Sequence, residues 1–328
     1  MTRFLTALAL VAAAVLPARA EEPVLRLAVL KFGTVNWLTE TIVAGGHDRA
    51  AGYQLEVVPL AGKAATSVAF QSGDADMIVT DWVWALGRRV TGEDLRFAPY
   101  STALGALMAP PGTLTDLCAL GGKRVGVVGG PFDKSWLVYE ALAAERCGFS
   151  LAEATETLHG APPLLSRQLE TGGVEAVSTY WHFAARLSAA GMERVIDVPG
   201  ALAALGIVPA PALVGFVWNA ESVDPALAAA FLASAEAAGR VLASDDAAWE
   251  ELRSLMRVDD EASFEALKRD YRAGIPDGWT EADTTAAKGL YETLAAIGGD
   301  NFARATGPWD AMLFETPAPQ AIAGANGG

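Results

Sequence analysis

Cysteine, histidine and basic residues are scarce in this sequence. Its 328 residues include two cysteines, three histidines and 24 lysines and arginines, against 39 aspartates and glutamates, and its formal net charge is −15. Nucleic-acid binding rests on clustered lysine and arginine, so this composition argues against a nucleic-acid partner. His47, His159 and His182 are dispersed and have no carboxylates at metal-ligand spacing, so we expect no metal site and no cofactor.

Common enzyme motifs are also missing. The sequence contains no G-x-S-x-G, no Walker A motif and no G-x-G-x-x-G after a predicted strand. The run Gly129-Gly130-Pro131-Phe132 follows a predicted strand but lacks the pattern of a phosphate loop. We therefore expect no catalytic residues and no enzyme activity.

Residues 1–20 have the layout of a secretory signal peptide. Arg3 precedes an apolar run from Phe4 to Leu16, and Ala18-Arg19-Ala20 forms a small-x-small cleavage site. A membrane span needs about 20 apolar residues, so this run is too short, and no later segment is expected to span a bilayer. The sequence predicts an exported, soluble protein.

The only cysteines are Cys118, just before a predicted strand at 123–128, and Cys147, at the end of the helix that follows. Both should lie at the same end of one βα unit. Disulfides persist in oxidising compartments, so an exported chain could bridge this pair. Two separately buried thiols remain the alternative.

Strand and helix patterns alternate along most of the chain, which predicts βαβ units and parallel sheets. Strands are predicted at 24–31, 53–59, 76–80, 124–128, 155–158, 176–179 and 214–219. Helices are predicted from 38 to about 46, at 66–71, from about 133 to 147, at 164–170, and from 225 to about 296.

One layout occurs twice. QSGDADMIVTDWVW (71–84) and ETGGVEAVSTYWHF (170–183) both run from a helix end through a small-residue turn and an apolar strand to a polar-aromatic tip. Because a single core seldom serves so long a chain, the repeat predicts two similar lobes. Proline-rich breaks at 108–112 and 209–211 suggest the crossings.

These breaks give the expected organisation of the chain. We predict a first part of lobe 1 at 21–108, lobe 2 at 109–208, and a return to lobe 1 with C-terminal helices at 209–315. The tail, 316–328, is rich in proline, alanine and glycine and is expected to be disordered.

The chain resembles the periplasmic solute-binding proteins of ABC importers, in the group that binds sulfonates, nitrate, taurine and thiamine precursors. The resemblance rests on the exported N-terminus and on LRLAVLKFGTVNW, GKAATSVAFQSGDADMIVTDW and LGGKRVGVVGGPFDKSWLVYEAL. It implies an α/β, two-lobed periplasmic-binding fold of type II, in which each lobe is a mostly parallel sheet flanked by helices. The ligand would lie in a cleft between the lobes, beyond the carboxyl ends of the strands.

Aromatic, cationic and polar residues follow several of the predicted strands. Trp82 and Trp181 hold matching positions in the repeat and could sandwich a flat ligand, although tryptophan is often core. Lys134 opens a helix, where backbone N–H groups favour an anion. Asp81 could pair with a ligand cation or cap the next helix. The expected ligand-binding residues are Asn36, Trp37, Lys63, Asp81, Trp82, Phe132, Lys134, Ser135, Trp136, Tyr180, Trp181 and His182.

The resemblance implies a monomeric, periplasmic substrate-binding component that closes on a small organic anion and delivers it to an inner-membrane ABC permease. A flat heteroaromatic ligand, such as a pyrimidine precursor of thiamine, is the alternative. Two further hypotheses use the same fold: an accessory protein that docks on an exported enzyme, and an exported enzyme.

Overall fold

The structure is a computed structural model that describes residues 22–314. The expected signal peptide and the expected tail lie outside the described residues. Ten strands are present within 22–314: β1 Val24–Leu30, β2 Gln54–Leu60, β3 Met77–Asp81, β4 Leu95–Ser101, β5 Ala106–Ala109, β6 Arg124–Val128, β7 Glu156–Gly160, β8 Ala176–Thr179, β9 Glu193–Asp197 and β10 Val214–Asn219.

Thirteen α-helices connect and cover these strands within the same range. They are α1 Val35–Ala44, α2 His47–Ala50, α3 Lys63–Gln71, α4 Trp82–Arg89, α5 Lys134–Arg146, α6 Leu151–Ala154, α7 Pro162–Glu170, α8 Trp181–Ala189, α9 Val198–Ala204, α10 Pro225–Ser244, α11 Asp246–Met256, α12 Glu261–Ala273 and α13 Glu281–Thr306. Short 3-10 turns lie at Leu117–Leu120 and Ala311–Phe314.

The strands form two five-stranded sheets with the same plan. The first sheet has the order β2-β1-β3-β10-β4, and the second has the order β7-β6-β8-β5-β9. In each sheet the first three strands are parallel, and the fourth runs antiparallel to both of its neighbours. We call the first sheet with its helices lobe 1 and the second sheet with its helices lobe 2. The two-lobed α/β fold predicted from the sequence is confirmed.

The antiparallel strand of each sheet is also where the chain changes lobes. β5 follows β4 of the first sheet but joins the second, and β10 follows β9 of the second sheet but joins the first. The first crossing therefore lies between Ser101 and Ala106, before the proline-rich break at 108–112 that the sequence suggested. The sequence patterns did not predict β4, β5 or β9, of which β4 and β9 form an edge of their sheets.

The lobes share one apolar core. A continuous buried cluster includes Trp82 and Leu86 of α4, Trp136 of α5 and Leu290 of α13. Helix α13 packs on α4 in lobe 1 and on α5 in lobe 2. Gly87 permits the close approach of α4, because a Cβ atom there would overlap the carbonyl oxygen of Ala305.

Two arginines of lobe 2 hold the C-terminal helices of lobe 1. Arg186 on α8 donates to the carbonyl of Met256 at 2.7 Å, in the last turn of α11. Arg194 on β9 donates to the carboxylate of Asp270 on α12 at 2.8 Å. Last-turn carbonyls of a helix lack intrahelical donors, so Arg186 satisfies one from across the lobe boundary.

Within the described residues, α10 is long and apolar enough to span a membrane by length and composition. This finding differs from the expectation that no segment after residues 1–20 would be long and apolar enough to span a membrane. In the fold α10 packs on α1 and buries Phe231, Ala238 and Leu242 in the core of lobe 1.

Candidate binding site between the lobes

The candidate site begins with two aspartates that cap helices on opposite lobes. Asp81 ends β3 and caps α4, with its carboxylate accepting a hydrogen bond from the backbone N–H of Trp84 at 2.9 Å. Asp133 caps α5 and accepts from the N–H groups of Ser135 and Trp136 at 3.0 and 3.3 Å. Carboxylates at these positions satisfy free donors and complement the helix dipole.

Gly129 makes the Asp133 cap possible. Its φ is +84°, in the left-handed region, and a Cβ atom there would lie 2.6 Å from the Asp133 carboxylate. The glycine thus supplies both the turn after β6 and the room for the capping side chain.

Lys134 connects the two lobes at this point. Its Nζ lies 3.2 Å from Oδ2 of Asp81, so an ion pair runs from the first turn of α5 to the end of β3. Asp81 is only 7 % exposed, and the Lys134 side chain is 27 % exposed. The pair is therefore largely withdrawn from solvent.

The surrounding charges decide the protonation of this cluster. Burial raises the pKa of Asp81, but Lys134, Lys63 and the Trp84 N–H outweigh it, so the pKa lies below its usual value. Burial also raises the pKa of Asp133. Its hydrogen bonds to backbone N–H groups and the charges of Lys134 and Lys63 lower it less, so the pKa of Asp133 lies above its usual value. Burial and the nearby Asp133 and Asp81 carboxylates raise the pKa of Tyr180 to about 12.

An aromatic cluster joins the lobes beside this charged group. Trp37 on α1 meets Trp181 on α8 edge to face, with ring centroids 6.0 Å apart. Tyr271 on α12 lies 5.5 Å from Trp37 and 6.1 Å from Trp181, measured between ring centroids. Trp249 of α11 completes the cluster, 5.8 Å from Trp37. The rings pack on one another, so the two lobes are in direct contact.

Two predicted tryptophans belong to the core instead. Trp82 has no exposed surface; its indole N–H donates to the carbonyl of Ala212, and its ring meets Trp309 and Phe314 edge to face. Because Asp81 is the cap, Trp82 begins α4 and packs beneath it, so the expectation that Trp82 faces Trp181 across the cleft is wrong.

Trp136 is 2 % exposed and lies in the shared core, where it cannot line an open cleft in this arrangement.

Asn36 fixes a loop: its amide donates to the carbonyls of Leu30 and Gly33 at 2.8 and 2.7 Å. Phe132 is 59 % exposed at the tip of the loop before α5.

Ser135 lies against the crossing segment, since a Cβ atom on Gly105 would lie 3.1 Å from its Oγ. His182 has a buried Nδ1 without a hydrogen-bond partner within residues 22–314. Burial, with a smaller effect of Arg186, lowers the pKa of His182 to about 4, so the ring is neutral at pH 7. These two residues border the cluster rather than form it.

The structure thus brings together Lys63, Asp81, Lys134 and Tyr180 in one electrostatic group, and Trp37 with Trp181 in an aromatic one. Sequence reasoning missed Tyr271 and Trp249, which come from helices after the second crossing. Asp133, which caps α5, was not among the predicted site residues; the Gly-Gly turn just before it was the available signal.

Two cavities on the described surface lie away from this group. One, of about 290 Å³, is lined by polar and apolar residues of α1, β2 and α11, among them Asn36, Glu40 and Leu255. The other, of about 600 Å³, lies at the opposite end of the first sheet, around the Arg26–Asp76 ion pair. No group of His, Cys, Asp or Glu suited to a metal ion occurs in the described part of the chain.

Comparison with known proteins identifies solved structures of similar fold. No protein-family model matches the chain, and no curated protein matches it. The periplasmic aliphatic sulphonate binding protein SsuA from Escherichia coli is 15 % identical, with a TM-score of 0.65 over 85 % of this chain and 93 % of that one.

Two further solved structures have the same fold. The alkanesulfonate-binding protein SsuA from Xanthomonas axonopodis pv. citri, bound to MOPS, is 16 % identical, with a TM-score of 0.65 over 85 % of this chain and 95 % of that one. The desulfurization enzyme DSZB is 16 % identical, with a TM-score of 0.57 over 88 % of this chain and 97 % of that one. At these identities the likeness establishes a shared fold.

Proposed function

We propose that this protein is the periplasmic substrate-binding component of an ABC importer, and that it captures a small organic solute with an anionic group between its lobes. The observation that carries the proposal is the position of Lys134. Lys134 is the first residue of α5 in lobe 2, and its ammonium group reaches the Asp81 carboxylate at the end of β3 in lobe 1. Lys63 also acts on that carboxylate. A solute held there contacts both lobes.

The physical setting supports an anion. Lys134 stands in the first turn of a 13-residue helix, where the helix dipole adds to its charge. The N–H groups of Ser135 and Trp136 in this turn already donate to Asp133, so the sequence expectation that they bind the anion is not met in this arrangement. Two of the structural neighbours are named as sulfonate-binding proteins. In this proposal lobe 1 and lobe 2 move as units about the two crossings, as in other hinged binding proteins.

The same proposal includes export of the chain by residues 1–20, a monomeric state, and delivery of the solute to an inner-membrane ABC permease. The chain itself performs no chemistry. Asp81 is engaged by Lys134 and by a backbone N–H, so it has no free role as a base. The fold also occurs in an enzyme, so turnover assays belong among the tests.

Calorimetric titration of the purified full chain with ethanesulfonate tests the proposal. Binding raises the free energy of unfolding by RT ln(1 + [L]/Kd), so a solute at a hundredfold excess over Kd raises it by about 2.7 kcal/mol. We expect saturable binding that Lys63→Ala and Lys134→Gln each weaken. The matched control is Lys288→Ala, which removes an exposed lysine of α13. Absence of binding both of ethanesulfonate and of 2-aminoethanesulfonate, or equal binding by all four proteins, rejects the proposal.

A flat heteroaromatic solute is the second candidate, and the aromatic cluster of Trp37, Trp181 and Tyr271 favours it. Stacking of a pyrimidine there would require these rings to separate. Titration with an aminopyrimidine in the same panel distinguishes the two candidates. Native mass spectrometry of the protein from periplasm would identify a carried solute, and a soluble enzyme recovered without solute would favour the accessory role.

A further inference from the structure

Among residues 22–314, Asp81 has one hydrogen-bonding partner of opposite charge. Its Oδ1 accepts from the neutral backbone N–H of Trp84, and its Oδ2 lies 3.2 Å from Nζ of Lys134. With 7 % of its surface exposed, little water can compensate the carboxylate. Lys63, an exposed residue at the start of α3, acts on it only through space.

This arrangement matters for a solute that carries only a negative charge. Such a solute binds Lys134 by taking it from Asp81 or by sharing it with Asp81. The first leaves a buried carboxylate without its ion-pair partner, which is strongly unfavourable. The second places two negative groups on one ammonium. Either way, Asp81 opposes a simple anion.

A solute with both charges avoids this conflict. Its cationic nitrogen can take the place of Lys134 against Asp81, while its anionic end takes the place of Asp81 against Lys134. Both buried charges then remain paired. Because the two residues belong to different lobes, the exchanged pairs still link lobe 1 to lobe 2.

We propose that Asp81 is a specificity determinant that selects small zwitterions, with a cationic nitrogen held by Asp81 and an anionic group held by Lys134 and Lys63. The inference rests on the proposed function and narrows its class of solute. Asp133 does not compete for the cation, because its carboxylate already accepts two backbone N–H groups at the start of α5. The Tyr180 hydroxyl, near both carboxylates, remains a neutral donor or acceptor.

The experiment compares two solutes that differ only in the amino group, 2-aminoethanesulfonate and ethanesulfonate, by calorimetric titration of the full chain at pH 7.5. The wild-type protein should bind the amino compound at least about tenfold more tightly, since a hydrogen bond to a charged group has about that effect. Asp81→Asn should abolish the preference by weakening the amino compound and not ethanesulfonate.

Asp48→Asn is the matched control. Asp48 is also a buried carboxylate, 3 % exposed, but it accepts backbone N–H groups of Arg49 and Leu55 in lobe 1, away from the cleft. This variant should keep the preference of the wild type. Circular dichroism melting of each variant establishes that the protein titrated is folded.

The outcomes separate the inference from the function on which it rests. Equal affinities for the two sulfonates in the wild-type protein overturn the inference and leave the proposed function standing. A preference that persists in Asp81→Asn overturns the role of Asp81, and the Asp81–Lys134 pair is then only a tie between the lobes. Failure of both sulfonates to bind overturns the inference together with the proposed function.

Discussion

Trp37 of lobe 1 and Trp181 of lobe 2 meet edge to face, with ring centroids 6.0 Å apart. The two residues are 144 positions apart in the sequence, and their contact exists only while the lobes are together. Trp37 also packs on Trp249 and Tyr271 of lobe 1, so separation of the lobes would uncover the part of its ring that Trp181 covers. The pair therefore favours the closed arrangement.

Trp181→Ala should weaken closure and, through it, solute binding. Aromatic pairs contribute about 0.5–1.5 kcal/mol beyond the area they bury, so affinity should fall by about two- to tenfold. Calorimetric titration measures the affinity, and small-angle scattering measures the compactness of the free protein. Trp181→Phe should restore most of both. Wild-type affinity and compactness in Trp181→Ala would show that the contact does not bias closure.

Trp82→Ala should instead lower the free energy of unfolding. Trp82 is completely buried against Trp309 and Phe314, and removing a large buried aromatic side chain costs about 3–5 kcal/mol. Urea unfolding followed by circular dichroism gives the change. Wild-type stability together with reduced solute affinity in Trp82→Ala would indicate instead that Trp82 lines the ligand-binding cleft.

Loss of the Cys118–Cys147 disulfide should destabilise lobe 2. The structure joins these residues, with Cα atoms 5.4 Å apart and a sequence separation of 29. A cross-link that closes a loop of this length stabilises the native state by about 3–4 kcal/mol in the chain-entropy account. The double variant Cys118→Ser/Cys147→Ser should show this difference in urea unfolding. Equal stability with and without dithiothreitol in the wild-type protein would contradict it.

His182 should make the protein less stable in mild acid. Its pKa is about 4 in the folded state, against 6.5 as the ordinary value, because burial disfavours the charged ring. Between these values the unfolded chain binds the proton and the folded chain does not. Stability contributed by the neutral ring is thus lost as the pH falls from about 6.5 to 4, and the loss levels off below that.

The size of this effect should be on the order of 2 kcal/mol, since one unit of pKa corresponds to about 1.4 kcal/mol. Urea unfolding of wild type and His182→Gln at pH 7.5 and 4.5 isolates it from the acidic groups common to both proteins. The wild type should lose more stability than the variant. An equal loss in the two proteins would assign the acid sensitivity to other groups.

Much of the fold could be predicted because it depends on local patterns. The repeat at 71–84 and 170–183 is real: Asp81 and Tyr180 both stand at the N-cap of a helix after a central strand. Periodicity located the parallel strands well. It did not locate β4, β5 and β9: β4 is an edge strand that contains Pro99, β5 is only four residues long, and β9 is a five-residue edge strand.

The candidate site was only partly predictable. Helix-capping chemistry pointed to Asp81, and a Gly-Gly turn with a helix start pointed to Lys134. Residue type alone could not tell which face of a helix each tryptophan occupies, so Trp82 and Trp181 received the same interpretation. Their difference depends on Ala212 and Tyr271, which reach them only in the folded chain.

The shared apolar core under α13 has a consequence for cooperativity. Two lobes joined only by chain crossings could melt one after the other. Here Trp82 of one lobe, Trp136 of the other and Leu290 of α13 are buried in a single cluster, so unfolding either lobe exposes the apolar surface of its neighbour. Scanning calorimetry should therefore give one transition, with a calorimetric enthalpy equal to the van't Hoff enthalpy. In thermodynamic terms the two lobes are one unit.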